Sequence, residues 1–156
     1  MIDELYSARI LGLAANLPHS GRLAAPEGTG ERVARLCGSK AIVDVTLDDA
    51  GRIETFAQDV KACALGQAAA GVLGAVVIGT SLDELVAARD AMSTMLKAGG
   101  EGPTGRFEGL RALKQVADYP ARHASTMVAV EATLDAVRAA LARKSPDTRT
   151  SLAGAA

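Results

Sequence analysis

The stretch from Arg35 to Gly74 constrains this chain more than any other. Ala41, Val43, Val45 and Leu47 alternate with Ile42, Asp44, Thr46 and Asp48. That is the period of two expected of a strand with one apolar and one mostly polar face. Asp48-Asp49-Ala50-Gly51 is a turn signal, with glycine available for positive φ. Arg52 to Lys61, carrying Ile53, Phe56 and Val60, reads as the returning strand of an antiparallel hairpin. Cys37 precedes the hairpin and Cys63 follows it. A hairpin returns the chain to its start, so the two cysteines are expected close in space.

The run after Cys63 is small, apolar and free of charge from Ala64 to Ile78, and it is too long for a strand. It predicts a buried helix. Gly66, Gly71 and Gly74 weaken that helix by up to ~1 kcal/mol each relative to alanine. They make sense if another backbone packs closely against it. Cys63 then stands at or just before the helix N-terminus, where free N–H groups and the helix dipole favour a thiolate. The plainer alternative is that both cysteines are small buried hydrophobes.

Around this centre the chain reads as follows. Asp3 caps a first helix running to about Leu17, with Leu5, Ile10, Leu13, Ala14 and Leu17 on one face, and Pro18 stops it. Residues 18–31 are rich in Pro and Gly and read as a loop, with His19 a solvated side chain. Arg32 to Leu36 predicts a short strand leading to Cys37. Ser81-Leu82-Asp83-Glu84 is a capping box opening a helix to about Ala98. Its Met92 and Met95 read as core filler. GGEGPTG, Gly99 to Gly105, is a connector; it lacks the Gly-Lys-Ser/Thr of a phosphate loop. A short helix is expected from Arg106 to Ala117, with Phe107, Leu110, Leu113 and Val116 inward. A last helix is expected from Arg122 to about Arg143, its basic end suited to a helix C-terminus. The predicted organisation is one domain over residues 1–144 and a disordered tail over 145–156.

Hydrophobic residues make up 49% of the chain and aromatics only 3%, so the core must be built from Ala, Val, Leu and Ile. The net charge of −1 gives no basic excess for a nucleic-acid partner. The opening MIDELYSARI has acids where a signal peptide needs bases, and no apolar run reaches about 18 residues. No membrane partner is expected, and a reducing cytoplasm is. There a cysteine pair serves metal or sulfur chemistry more often than a disulfide.

Five marks in order resemble one known family. They are Ile10 to Arg22, ILGLAANLPHSGR; Cys37-Gly38; Asp48-Asp49-Ala50-Gly51-Arg52-Ile53; Ala62-Cys63-Ala64; and Tyr119-Pro120-Ala121-Arg122-His123-Ala124-Ser125. Over about Tyr6 to Leu141 the chain resembles the U-type iron–sulfur cluster assembly scaffolds (IscU, NifU N-terminal and SufU proteins). The connector around GGEGPTG points to the SufU branch. The resemblance implies an α+β fold: an N-terminal helix, a small three-stranded antiparallel sheet, then a layer of helices on one face, the SufE/NifU-like fold.

The family's metal site uses three cysteines and the aspartate after the first Cys-Gly. Here that aspartate corresponds to Ser39 and the third cysteine to Ser125, leaving Cys37 and Cys63. His123 lies two residues before Ser125, while Ala124 holds the position at which the IscU branch has a histidine. His123 on the first turn of the last helix either swings in as a ligand or faces solvent. Ser125 fits a helix-capping or packing role, since a neutral hydroxyl binds zinc or iron poorly.

Three functions follow. The first is a divergent scaffold or carrier, not an enzyme, binding iron, zinc or a labile iron–sulfur cluster through Cys37, Cys63 and His123. Its partners would be a cysteine desulfurase and other assembly proteins. The second is a SufE-like acceptor of persulfide sulfur, with Cys63 the expected acceptor because of its helix position. The third is a protein-binding module that has lost the metal site.

Overall fold

The computed structural model describes residues 7–15 and 17–144. Helix α1 spans Ala8–Ala15. Strands β1 (Gly28–Ala34), β2 (Ser39–Leu47) and β3 (Ile53–Lys61) form one antiparallel sheet in the order β1-β2-β3. Helix α2 (Ala64–Val76) and helix α3 (Leu82–Ala98) follow. A long 3-10 segment, Gly105–Asp118, leads through a short 3-10 turn, Pro120–Arg122, into α4 (His123–Lys144). The architecture is α+β, as the resemblance implies. Asp3 and Leu5, and the tail from Ser145, lie outside the described residues; at the described start, the Ser7 hydroxyl accepts from the Ile10 N–H at 3.3 Å.

The hairpin forms with Lys40 opposite Lys61 and Val45 opposite Phe56, closed by Gly51 at φ 81°. Two parts of the sheet differ from the sequence expectation. Strand β1 begins at Gly28, not Arg32, and Cys37 lies in the turn 35–38 rather than at a strand end. Glycine normally weakens a strand, which hid Gly28 and Gly30 in the apparent loop. Here a side chain has no room. A Cβ on Gly28 would stand 2.1 Å from the Ala136 carbonyl oxygen, and one on Gly30 2.1 Å from that of Ala132. Helix α4 thus lies with its backbone against β1. Gly28 pairs with Val45 and Gly30 with Val43, so these fully buried valines share the face under α4. Burying a valine contributes ~1.5–3 kcal/mol.

The opposite face is less polar in its surroundings than the alternation predicts. Asp44 is fully buried. Its carboxylate accepts from Arg22 Nε and Nη2 at 2.6 and 3.1 Å, from Leu23 N at 3.0 Å and from the Thr29 hydroxyl at 2.6 Å. This fastens the loop before β1 across the sheet.

Gln58 fastens the earlier part of that loop. Its Nε2 donates to the Pro18 and Ala70 carbonyls at 3.0 Å each, and its backbone N–H to the His19 carbonyl at 2.9 Å. His19 is exposed at φ 58°, and its ring meets Phe56 edge-on at 5.9 Å.

The helical layer begins with α2, whose Leu65, Ala68, Ala70 and Leu73 are buried. Helix α3 starts on the expected capping box of Ser81 and Glu84 and ends at Gly99 in the left-handed region. The short helix expected over Arg106–Ala117 forms as a 3-10 helix, Gly105–Asp118. Its buried residues are Phe107, Leu110, Leu113 and Val116, spaced by three throughout. A 3-10 helix repeats every three residues, so this spacing keeps one face inward where an α-helix would let it drift.

Candidate functional site

Three separated segments converge at one end of the sheet. The turn 35–38 supplies Cys37, with Gly38 at φ 72° reversing the chain and its N–H bonded to the Ala34 carbonyl at 2.8 Å. The first residue of β2 is Ser39, which is 2% exposed. The end of β3 delivers Cys63 as the N-cap of α2, in extended conformation, its side chain making no capping bond. The first turn of α4 supplies Ser125, which is 1% exposed.

Hydroxyls link these segments. Ser39 Oγ accepts from the Cys63 backbone N–H at 3.3 Å and stands 3.0 Å from Cys37 Sγ. With a lone pair engaged by Cys63, the Ser39 proton is available to the Cys37 sulfur. Cys63 Sγ donates to Ser125 Oγ at 3.5 Å, and Ser125 Oγ donates to the Arg122 carbonyl at 3.1 Å. Gly66 permits the close approach of α2 to α4, since a Cβ there would stand 2.7 Å from the Ser125 carbonyl oxygen. The expectation that glycines in this helix serve backbone packing holds at that residue.

Cys37, Gly38, Ser39, Lys61, Ala62, Cys63 and Arg122 line an open recess of about 510 Å³. Cys37 is exposed and Cys63 half-buried. The Cys37 thiol is held below its ordinary pKa, chiefly by the Ser39 hydroxyl. Burial opposes this, and the Ser39 backbone, the Ser125 hydroxyl and the Arg122 charge assist it. The sequence reading gave the helix-start Cys63 the advantage. The structure places the more open and better-supported thiol at Cys37, because a turn leaves its sulfur outside while Ser39 stands under it. Lys61, expected as the end of the returning strand, and Arg122, part of the fifth family mark, bring two cations to the recess. Lys40, next to Ser39, pairs with Glu31 at 3.1 Å.

His123 stands apart from the thiols. Its Nε2 donates to the carbonyls of Val116 and Ala117, at 2.9 and 3.3 Å. The Val116 carbonyl also accepts from the Tyr119 N–H at 2.9 Å, so the ring adds a second bond at the end of the 3-10 helix. The side chain lines a different groove, with Arg32, Leu96, Lys97 and Met127.

Among the described residues, no three His, Cys, Asp or Glu side chains are grouped to hold a metal ion. A tetrahedral zinc or iron site takes four ligands, and two thiolates supply half of them. The recess adds one neutral hydroxyl, Ser39, and two cations, Lys61 and Arg122, and the cations oppose a bound divalent ion. The chain's own donors therefore do not fit a resident metal.

The NifU-like N-terminal domain profile matches residues 5–126. The chain belongs to the NifU-like N-terminal domain family. The N-terminal part of a nitrogen-fixing NifU-like protein from Brucella abortus is 45% identical. The match covers 90% of this chain and 96% of that one, with a TM-score of 0.86. A putative iron–sulfur cluster assembly scaffold protein for the SUF system, from the thermophile Fervidobacterium islandicum, is 19% identical. It covers 85% of this chain and 96% of that one at a TM-score of 0.77, a likeness of fold. No curated protein matches the chain. In this NifU-like domain, Cys37, Ser39, Cys63 and Ser125 are neighbours in space. No described helix is long and apolar enough to cross a membrane.

Proposed function

We propose that this NifU-like domain serves iron–sulfur cluster assembly as a carrier, not an enzyme, with Cys37 and Cys63 as its working thiols. One observation carries the reading: two thiols from distant segments share one open recess whose other polar lining is hydroxyl and cationic. Cys37 is the thiol that first takes sulfur from a cysteine desulfurase, because it is exposed and Ser39 supports its thiolate. Iron, zinc or a labile cluster is then cargo, held by two thiolates only while a partner's thiols complete the shell. A reducing cytoplasm is the compartment this chemistry requires.

Anaerobic purification followed by iron, zinc and acid-labile sulfide analysis tests the proposal. The expected result is substoichiometric metal that a chelator strips, together with sulfur on Cys37 after incubation with a desulfurase and cysteine. Ser39→Asp combined with Ser125→Cys should strengthen metal retention at least ~10-fold, by restoring two ligands. Retention no better than the parent's would show that these two positions are not ligand positions. Neither sulfur nor metal on the parent chain would leave a protein-binding module.

A further inference from the structure

The two thiols are not equivalent, and their arrangement has a direction. The β2–β3 register places Lys40 opposite Lys61. Cys37 lies three residues before Lys40 and Cys63 two residues after Lys61. Ser125 Oγ is 3.5 Å from Cys63 Sγ, while Ser39 Oγ is 3.0 Å from Cys37 Sγ and 3.3 Å from the Cys63 backbone N. Both cysteines line the same recess. A disulfide needs Cα atoms about 4.4–6.8 Å apart, and the turn that carries Cys37 is the side of the recess that would move to meet this. Cys37 lies in a turn, free of strand pairing, with nothing to meet around Gly38. It faces solvent, whereas Cys63 sits half-buried behind it.

We propose that Cys63 is a resolving thiol, which releases the sulfur loaded on Cys37 as inorganic hydrosulfide. This rests on the reading that Cys37 accepts sulfur. The Cys63 thiolate attacks Sγ of the Cys37 persulfide. The Cys37–Cys63 disulfide forms, the bond to the terminal sulfur breaks, and that sulfur leaves with the electron pair and takes up the proton given up by Cys63. The two cysteines are together oxidised to the disulfide, and the sulfane sulfur is reduced to sulfide. Lys61 and Arg122, lining the same recess, stabilise the departing anion. A dithiol reductant then exchanges with the exposed Cys37 side of the disulfide and resets the pair. The substrate is a persulfide, the product free sulfide, and a separate electron donor acts only after the sulfur has left.

The test uses the full chain, reduced and metal-free, loaded anaerobically with glutathione persulfide, then desalted into buffer without reductant. Intact mass, peptide mapping and released sulfide are followed. The parent should lose its sulfane sulfur at least ~10-fold faster than Cys63→Ser, ending about 2 Da lighter than the reduced chain with the Cys37 and Cys63 peptides linked. Cys63→Ser should stay about 32 Da heavier, with the added sulfur on Cys37. A parent that keeps its added sulfur without forming the linked peptide would overturn the resolving role while leaving sulfur acceptance standing. That decision needs no variant, so poor folding of Cys63→Ser does not blunt it. Absence of sulfur from every species would instead overturn the acceptor reading beneath it.

Discussion

The ring of His123 donates from Nε2 to the Val116 carbonyl at 2.9 Å, joining the end of the long 3-10 helix to the start of α4. The sequence sets this histidine two residues from a lost ligand position, yet its side chain is committed to backbone. His123→Ala should lower stability by roughly 1 kcal/mol, the net worth of such a bond. Metal and sulfur loading per folded chain should not change. Urea unfolding and elemental analysis on one preparation check both halves; a fall in loading at unchanged stability would return the histidine to the thiol site.

Cys37 should be alkylated by iodoacetamide faster than Cys63 in metal-free protein near neutral pH, read by peptide mapping. Ser39→Ala removes the hydroxyl that holds the Cys37 thiol down. Its labelling profile should move to higher pH, with a rate at neutral pH lower by roughly two- to fivefold. That range corresponds to a solvent-screened bond of ~0.5–1 kcal/mol. An unmoved profile would assign the support to Arg122.

Gly30→Ala should fold poorly despite the small size of the change. The added carbon would lie 2.1 Å from the Ala132 carbonyl oxygen, and a helix backbone cannot yield as a flexible side chain does. A loss of roughly 3 kcal/mol or more is expected, visible in thermal melting. Alanine at Gly12, with nothing near the added carbon, is the contrasting control.

Asp44 sets a pH dependence. Burial pushes its carboxyl pKa up, but the bonds from Arg22, Thr29 and the Leu23 N–H together outweigh this and hold it below the ordinary value. A pKa lower in the folded than in the unfolded chain stabilises at pH above the unfolded value of about 3.9. That stability is lost as pH falls through the folded value. Asp44→Asn should cost about 3 kcal/mol at neutral pH and flatten the acid limb of a stability–pH curve. An unchanged acid limb would place the titrating group elsewhere.

The hairpin, the buried helix after Cys63 and the Ser81 capping box were legible because each has a local signature: alternation around a turn, an uncharged run, a hydroxyl three residues before a glutamate. Strand β1 was half hidden, because Gly28 and Gly30 are explained by α4, which lies about a hundred residues later. The burial of Asp44 depends on Arg22 folding over it, which no periodicity records. At the site, the nearness of Cys37, Cys63 and Ser125 followed from topology and the resemblance. The ranking of the thiols did not, since exposure and the hydroxyl under Cys37 are properties of the assembled turn. The direction of the His123 ring depended on where the neighbouring 3-10 helix ends and presents its last carbonyls.

The stride of Phe107, Leu110, Leu113 and Val116 limits how this segment can change length. One inserted residue in a 3-10 helix turns everything beyond it by about 120°, and three turn it by a full circle. Drift in this part of the chain should therefore tolerate gain or loss in triplets of residues, and any other step would roll the inward row into water and drag the ring of His123 off its carbonyls.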